Sequence, residues 1–247
     1  LVKCVVSSEG ATTTVTYKGT PEYQSGGAPA NRKLPLVLTT VLSIGVSDGF
    51  GNVSTTTYSY GGGLYYFNNS YDRKFSGFAT TTTTNASGHV TKKYAHQGDA
   101  SNSSQGEYSD HISKAGKVYR TEEYDESNNL YRKTITKWDK YNQGIDRDFV
   151  KKAQVVTYSY DGDGDHRDKA ESFTFSNTNG NLTEKIEWGE VTGSDDGTFS
   201  DTGTDKHTAA ISYATDGSYV VGLSSQETHT NQNAVKVKET KHYYDGL

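Results

Sequence analysis

A two-residue alternation of Thr, Tyr and Val, broken at short intervals by Asn, Gly and Ser, is the feature that most narrows what this chain can fold into. It is plain in Thr14-Val15-Thr16-Tyr17, in Thr56-Thr57-Tyr58-Ser59-Tyr60 and in Val155-Val156-Thr157-Tyr158-Ser159-Tyr160. Alternation of this kind places successive side chains on opposite faces of a pleated strand, whereas a helix needs apolar residues every three or four positions. Thr and Tyr each join an apolar body to a hydroxyl, which suits strands that are wet on one side. Only 3 of the 247 residues are Pro, so few ladder donors are missing.

Turn chemistry divides the alternating runs into hairpins. The clearest joins residues 170–175 to 182–188 through Asn177-Thr178-Asn179-Gly180, with Phe173 and Phe175 on one face of the first arm and Leu182, Ile186 and Trp188 on the return arm. A second spans 118–138 and turns at Glu126-Ser127-Asn128-Asn129. A third turns at Asn85-Ala86-Ser87-Gly88, a fourth at Asn231-Gln232-Asn233 and a fifth at Ser8-Glu9-Gly10. Tyr58-Ser59-Tyr60-Gly61-Gly62, Tyr158-Ser159-Tyr160-Asp161-Gly162 and Tyr243-Tyr244-Asp245-Gly246 recur at strand ends. Repetition of one supersecondary unit predicts a quasi-linear array, each hairpin burying its face against the next. Residues 19–31, 98–116 and 193–205 lack the alternation and are expected to be long loops. No composition break marks a boundary, so residues 1–247 are expected to form one segment. The chain opens mid-strand at Leu1-Val2-Lys3-Cys4, as a piece of a longer protein would.

Charge and cysteine content exclude several classes. Twenty-five basic and 30 acidic residues are interspersed, giving −5 with no basic stripe for nucleic acid. No apolar run nears the ~20 residues of a membrane helix, so membrane insertion is not expected. The single Cys4 leaves no internal disulfide and no cysteine zinc site.

The phrases Asp48-Gly49-Phe50-Gly51-Asn52, Tyr71-Asp72-Arg73-Lys74-Phe75-Ser76-Gly77-Phe78, His96-Gln97-Gly98-Asp99, Gly116-Lys117-Val118-Tyr119-Arg120, Tyr124-Asp125 and Tyr244-Asp245-Gly246-Leu247 resemble Rhs/YD-repeat proteins. The closest likeness is to the shell region of the B component of bacterial insecticidal toxin complexes. The motif residues are Tyr71, Asp72, Phe75, Gly77, Phe78, Tyr124, Asp125, Tyr244 and Asp245. The resemblance implies an all-β fold: a continuous array of antiparallel hairpins that forms an open, curved section of a β-cocoon wall. It implies a secreted or extracellular bacterial protein that encloses a toxin polypeptide and joins other toxin-complex subunits. At 247 residues the chain is too short to close a cocoon. Open edges left by such a section predict edge-mediated self-association.

Several residue groups have the right types for other chemistries. Asp161-Gly162-Asp163-Gly164-Asp165 with Asp168 could supply oxygen ligands to Ca²⁺, but His166 and Ser172 stand where the calcium-loop pattern needs Gly and Glu, and a solvated acidic turn competes. Glu122 and Glu123 are adjacent on a strand and point to opposite faces, so they cannot act as a glycosidase pair. Glu184, Glu187 and Glu190 are carboxylates by type alone. Seven scattered His and the absence of a Gly-x-Ser-x-Gly elbow give no hydrolase signature. Trp138, Trp188, Tyr65, Tyr66, Tyr131 and Tyr141 could stack sugars, as in a bacterial surface adhesin or carbohydrate-binding module, but cross-strand aromatic packing explains them more simply. No catalytic residue and no cofactor is expected.

Overall fold

The computed structural model describes residues 1–142, 148–162, 164–214 and 221–244. It is a nearly all-β protein with one large antiparallel sheet of 15 strands and a separate two-stranded hairpin. Three single 3-10 turns are the helical segments among the described residues. The chain divides into two compact units: residues Leu1–Ser101 with Ser109–Lys133, and Asn102–Tyr108 with Thr134–Leu247.

The first unit holds β1 (Cys4–Val6), β2 (Thr12–Gly19), β3 (Gln24–Ser25), β4 (Ala28–Pro29), β5 (Thr39–Ser47), β6 (Val53–Phe67), β7 (Arg73–Thr84), β8 (Val90–Ala95) and β9 (Val118–Tyr124). Strand β10 (Leu130–Asn142) begins in this unit and ends in the second. The second unit continues with β11 (Asp148–Tyr160), β12 (His166–Phe175), β13 (Leu182–Gly193), β14 (Phe199–Asp201), β15 (His207–Ala214), β16 (Leu223–Thr230) and β17 (Lys236–Lys241). Pairing follows chain order from β1 to β17, except that β3 and β4 pair only with each other and β14 lies beside β13, off the path.

All five expected hairpins form, and three of them share one device with the β5–β6 turn. At residues 48–52, 85–89, 125–129 and 231–235 the first residue is Asp or Asn. Its Oδ1 accepts the amides two and four residues on: Phe50 and Asn52 onto Asp48, Ser87 and His89 onto Asn85, Ser127 and Asn129 onto Asp125, Asn233 and Val235 onto Asn231. The fourth residue turns left-handed, with φ of 103° at Gly51, 85° at Gly88, 63° at Asn128 and 58° at Ala234. Gly and Asn tolerate that region, whereas the Cβ of Ala is strained there. Ala234→Gly is therefore expected to raise stability by about 1 kcal/mol. Slower amide exchange along β16 and β17 would show it, and an unchanged protection pattern would contradict it.

The unit-2 core is small and specific. Ile135, Val156, Tyr158, Ala170 and Val191 are buried together, flanked by Tyr160, Trp188 and Phe199. The alternation explains it: Val156 and Tyr158 share a face of β11, and the register sets them opposite Ala170 and Asp168 on β12. Residues 98–116 and 193–205, expected as plain loops, do more than connect. Gly106 and Gly197, from segments at 102–108 and 193–199, press on Ile135, and the Tyr158 hydroxyl donates to the Ser194 carbonyl. Strand β14 forms inside the second of these segments.

Candidate functional site

Sequence motifs converge most tightly in the first unit, at a bulge on β7. Tyr65 pairs with Phe75 and Gly63 with Phe78, so two steps on β6 match three on β7. The extra residue resets the alternation. Phe75 and Phe78, three apart, would face opposite ways on a regular strand. Here their rings meet edge-on at 5.4 Å. Gly77 provides the turn with φ of 90°. Phe78 continues an aromatic row, 5.0 Å from Tyr60, which lies 5.7 Å from Tyr23.

A bulge leaves ladder groups unpaired, and two side-chain amides from outside the strands satisfy them. Gln97 Nε2 donates to the Gly62 carbonyl at 2.7 Å and to the Gly77 carbonyl at 2.9 Å. The Ser76 hydroxyl donates to the Gln97 carbonyl. Asn31 Oδ1 accepts from the Gly63 amide at 2.8 Å, while its Nδ2 donates to the carbonyls of Thr20 and Tyr60. Gly62 has φ of 64°, and a Cβ there would lie 2.7 Å from that of Ala79. The phrases around residues 75–78 and 96–99 are thus two halves of one clamp. Gln97→Ala would leave two part-buried carbonyls without their donor, an expected loss of about 1–2 kcal/mol. Urea unfolding measures it; a change below about 0.5 kcal/mol would show that water replaces the amide without penalty.

Beside this clamp, β8 and β9 bury a charged cluster. Arg120, Glu122 and Tyr124 alternate on one face of β9, and the register sets Tyr94 opposite Arg120. Arg120 Nε and Nη2 both lie 2.7 Å from Glu122 Oε1, and the hydroxyls of Tyr94 and Tyr124 each donate to Oε2 at 2.9 Å. Burial works against the Glu122 anion, but hydrogen bonds from Arg120, Tyr124 and Tyr94 outweigh it and hold the carboxyl below its ordinary range. Burial, reinforced by Glu122, pushes the Tyr94 phenol up to about 12 and raises Tyr124 as well. A carboxylate saturated by three donors is a fixed anion and a poor proton acceptor. Glu123, on the other face, is 4.0 Å from Arg132, so the two adjacent glutamates do point apart.

A second buried pair anchors residues 96–110. His96 Nδ1 lies 3.0 Å from Asp110 Oδ1, both side chains fully buried. Asp110 Oδ2 accepts the amides of Gly98 and Asp99. Burial raises the Asp110 carboxyl, but the His96 hydrogen bond and these amides bring it below its usual range.

The sequence-predicted residues are scattered over these elements. Tyr71 is fully exposed at the β6–β7 tip, where Asn69 Oδ1 accepts the amides of Tyr71 and Asp72. Asp125 caps its turn, and the Tyr244 hydroxyl donates to the Ser224 carbonyl. Asp245 lies outside the described residues, as does Asp163 of the acidic loop. Asp161 and Asp165 are exposed. Asp168 instead sits in β12, buried, with Oδ1 2.6 Å from His166 Nδ1 and Oδ2 accepting the Gly193 amide. Its two oxygens therefore serve the strand interior. Of the aromatic set, Trp188 donates to Ser172 and packs on Phe199 under Lys206, Tyr141 stacks on Phe149 and Tyr131 meets His89. Tyr65 and Tyr66 lie on β6 and Trp138 on β10.

Asp205, by sequence one of a weak acidic group with Asp195, Asp196 and Asp201, has a structural role. Between Ala170 and Glu171 of β12 the partner on β13 skips Trp188, and Gly189 turns with φ of 67°. Asp205 fills the space a Cβ would need and accepts the Glu190 amide. The bulge, not a metal loop, is what its carboxylate serves.

Comparison with known proteins came to the same region. Residues 1–105 match the sequence model of a family described as the insecticide toxin TcdB middle/N-terminal region. A crystal structure of TcdB2–TccC3–Cdc42 shares the fold, with a TM-score of 0.64 at 13% identity over 90% of this chain. This chain spans 14% of that one. A porin-like protein from Bacteroides uniformis aligns over 96% of this chain and 91% of its own, at 13% identity, but its TM-score of 0.23 carries no argument. No curated protein matches the chain in sequence. The chain resembles the B component of bacterial insecticidal toxin complexes. No helix among the described residues is long and apolar enough to cross a membrane.

Proposed function

We propose that this chain is a stretch of structural wall in a secreted bacterial toxin-complex protein, and that the wall encloses a toxin polypeptide before delivery. The carrying observation is the strand path, each main strand hydrogen-bonded to the next in chain order, in a fold shared with TcdB2–TccC3. The match of residues 1–105 to the TcdB family supports it from sequence. Buried polar groups fit a structural role. Glu122, Asp110 and Asp168 are each held by donors from the chain itself, and the clamp at Gln97 satisfies backbone. In this reading the Rhs/YD-type hairpins supply a barrier, the chain catalyses nothing, and its partners are the enclosed polypeptide and other toxin-complex subunits.

The test is protection. The parent protein, assembled with its cargo-bearing partner, should shield the cargo from protease concentrations that digest the same polypeptide alone. Cargo cut at equal rates with and without the wall would refute encapsulation.

A further inference from the structure

The geometry points to a divalent transition-metal site on the second unit, formed by His207, His229 and Glu227 above Ala209. Strand registers place these residues on one face. Glu171 of β12 pairs with Glu187 of β13, which pairs with His207 of β15. In the next row Phe173, Lys185, Ala209, His229 and Lys238 are aligned across five strands. The two histidines are therefore diagonal neighbours on β15 and β16, a spacing that long side chains bridge.

Ala209, directly opposite His229, is too small to separate them and is itself buried beneath. The imidazole rings lie 5.0 Å apart with planes 32° from parallel. His229 Nε2 is 3.0 Å from Glu227 Oε1, two residues back on the same face. Two ligand atoms bound tetrahedrally to one zinc at ~2.1 Å stand about 3.4 Å apart, so this pair needs only a slight opening. His207 stands on the far side of His229 from Glu227, so its half-exposed ring must swing over to supply the third ligand. Two imidazoles and one carboxylate suit zinc and its neighbours in the first transition row, with water in the fourth position.

Glu187 is the remaining carboxylate near His207, but Lys185 holds it at 2.6 Å and also binds Glu171 at 2.9 Å. Among the described residues Glu227 pairs with His229 and with no lysine, and its side chain is 39% exposed, open to an incoming ion. A bound metal would staple β15 to β16. This site stands apart from the encapsulation reading and needs no part of it.

Cobalt titration of the full chain tests it, because tetrahedral Co²⁺ ligated by histidine absorbs in the visible. The unsubstituted chain should bind one Co²⁺, displaceable by Zn²⁺, with a dissociation constant on the order of micromolar. His207→Ala and His229→Ala should each weaken binding at least tenfold, with His96 and Cys4 unchanged in every sample. Zinc at about 100 times its dissociation constant should raise the melting temperature by roughly 5 °C, and this rise should vanish in both variants. Glu227→Gln, which keeps shape, should weaken binding about tenfold with an unaltered circular dichroism spectrum. No stoichiometric binding, or binding that survives both histidine substitutions, overturns the site.

Discussion

Arg120→Leu is expected to destabilise the first unit by about 3–5 kcal/mol, because it strips the cation from a buried carboxylate. Glu122 would keep its two tyrosine donors but lose the charge that offsets burial. The pH dependence carries the signature. With Arg120 present, the Glu122 carboxyl titrates below its ordinary value, so its contribution to stability is complete above the unfolded value and is lost as pH falls through the folded one. Without Arg120, burial dominates and raises that carboxyl instead. The gap between the two proteins should therefore begin to shrink above the ordinary glutamate range, as the variant's raised carboxyl protonates, and go on shrinking as pH falls through the lowered one. Urea midpoints from pH 7 to pH 3 measure this. The double change Arg120→Leu with Glu122→Leu should recover much of the loss, since the buried charge goes with its partner. A gap under 1 kcal/mol, or one indifferent to pH, would mean that water reaches the pair.

Ile135→Ala should remove about 3–4 kcal/mol from the second unit. Ile135 is 1% exposed and lies between two glycines. A Cβ on Gly106 would come 2.5 Å from its Cγ2, and one on Gly197 would come 2.6 Å away. The cavity left by alanine cannot collapse easily, because the sheet below and the two turns above are each fixed by their own hydrogen bonds. Contact also predicts coupling. Gly197→Ala alone should be destabilising through the clash and its φ of 79°, and Ile135→Ala should relieve the clash but not the backbone strain. A double-mutant cycle in which the two losses simply add would show that the turn moves aside.

The strand content and hairpin order were legible because both rest on local rules. Alternation marks β2, β6 and β11, and turn residues mark five hairpins. The turn at 125–129 was read one residue late, from Glu126, because the capping role of Asp125 depends on where its carboxylate points, and composition does not show that. The bulges were not legible. Gly77 and Gly189 look like any other glycine until the register counts two residues against three. The coverings at 19–31 and 193–205 lack periodicity, since Asn31 answers to Gly63 and Asp205 to Glu190, and Gln97, just before 98–116, answers likewise to Gly62. Asp168 appeared to belong with the acidic loop by proximity in sequence, whereas its place on β12 turns it toward Gly193.

Pairing in chain order also shapes how such a protein is made. Most strands find their partner within a short stretch of sequence, so closing each ladder sacrifices little loop entropy. A chain leaving the ribosome can add one strand at a time to an edge already built, as a zipper closes behind its slider. The slow steps should fall where this locality fails, at Gln97 and Asn31, whose partners Gly62 and Tyr60 lie 35 and 29 residues away. Synthesis that pauses before those residues emerge should yield ribbons with formed hairpins and unclamped bulges.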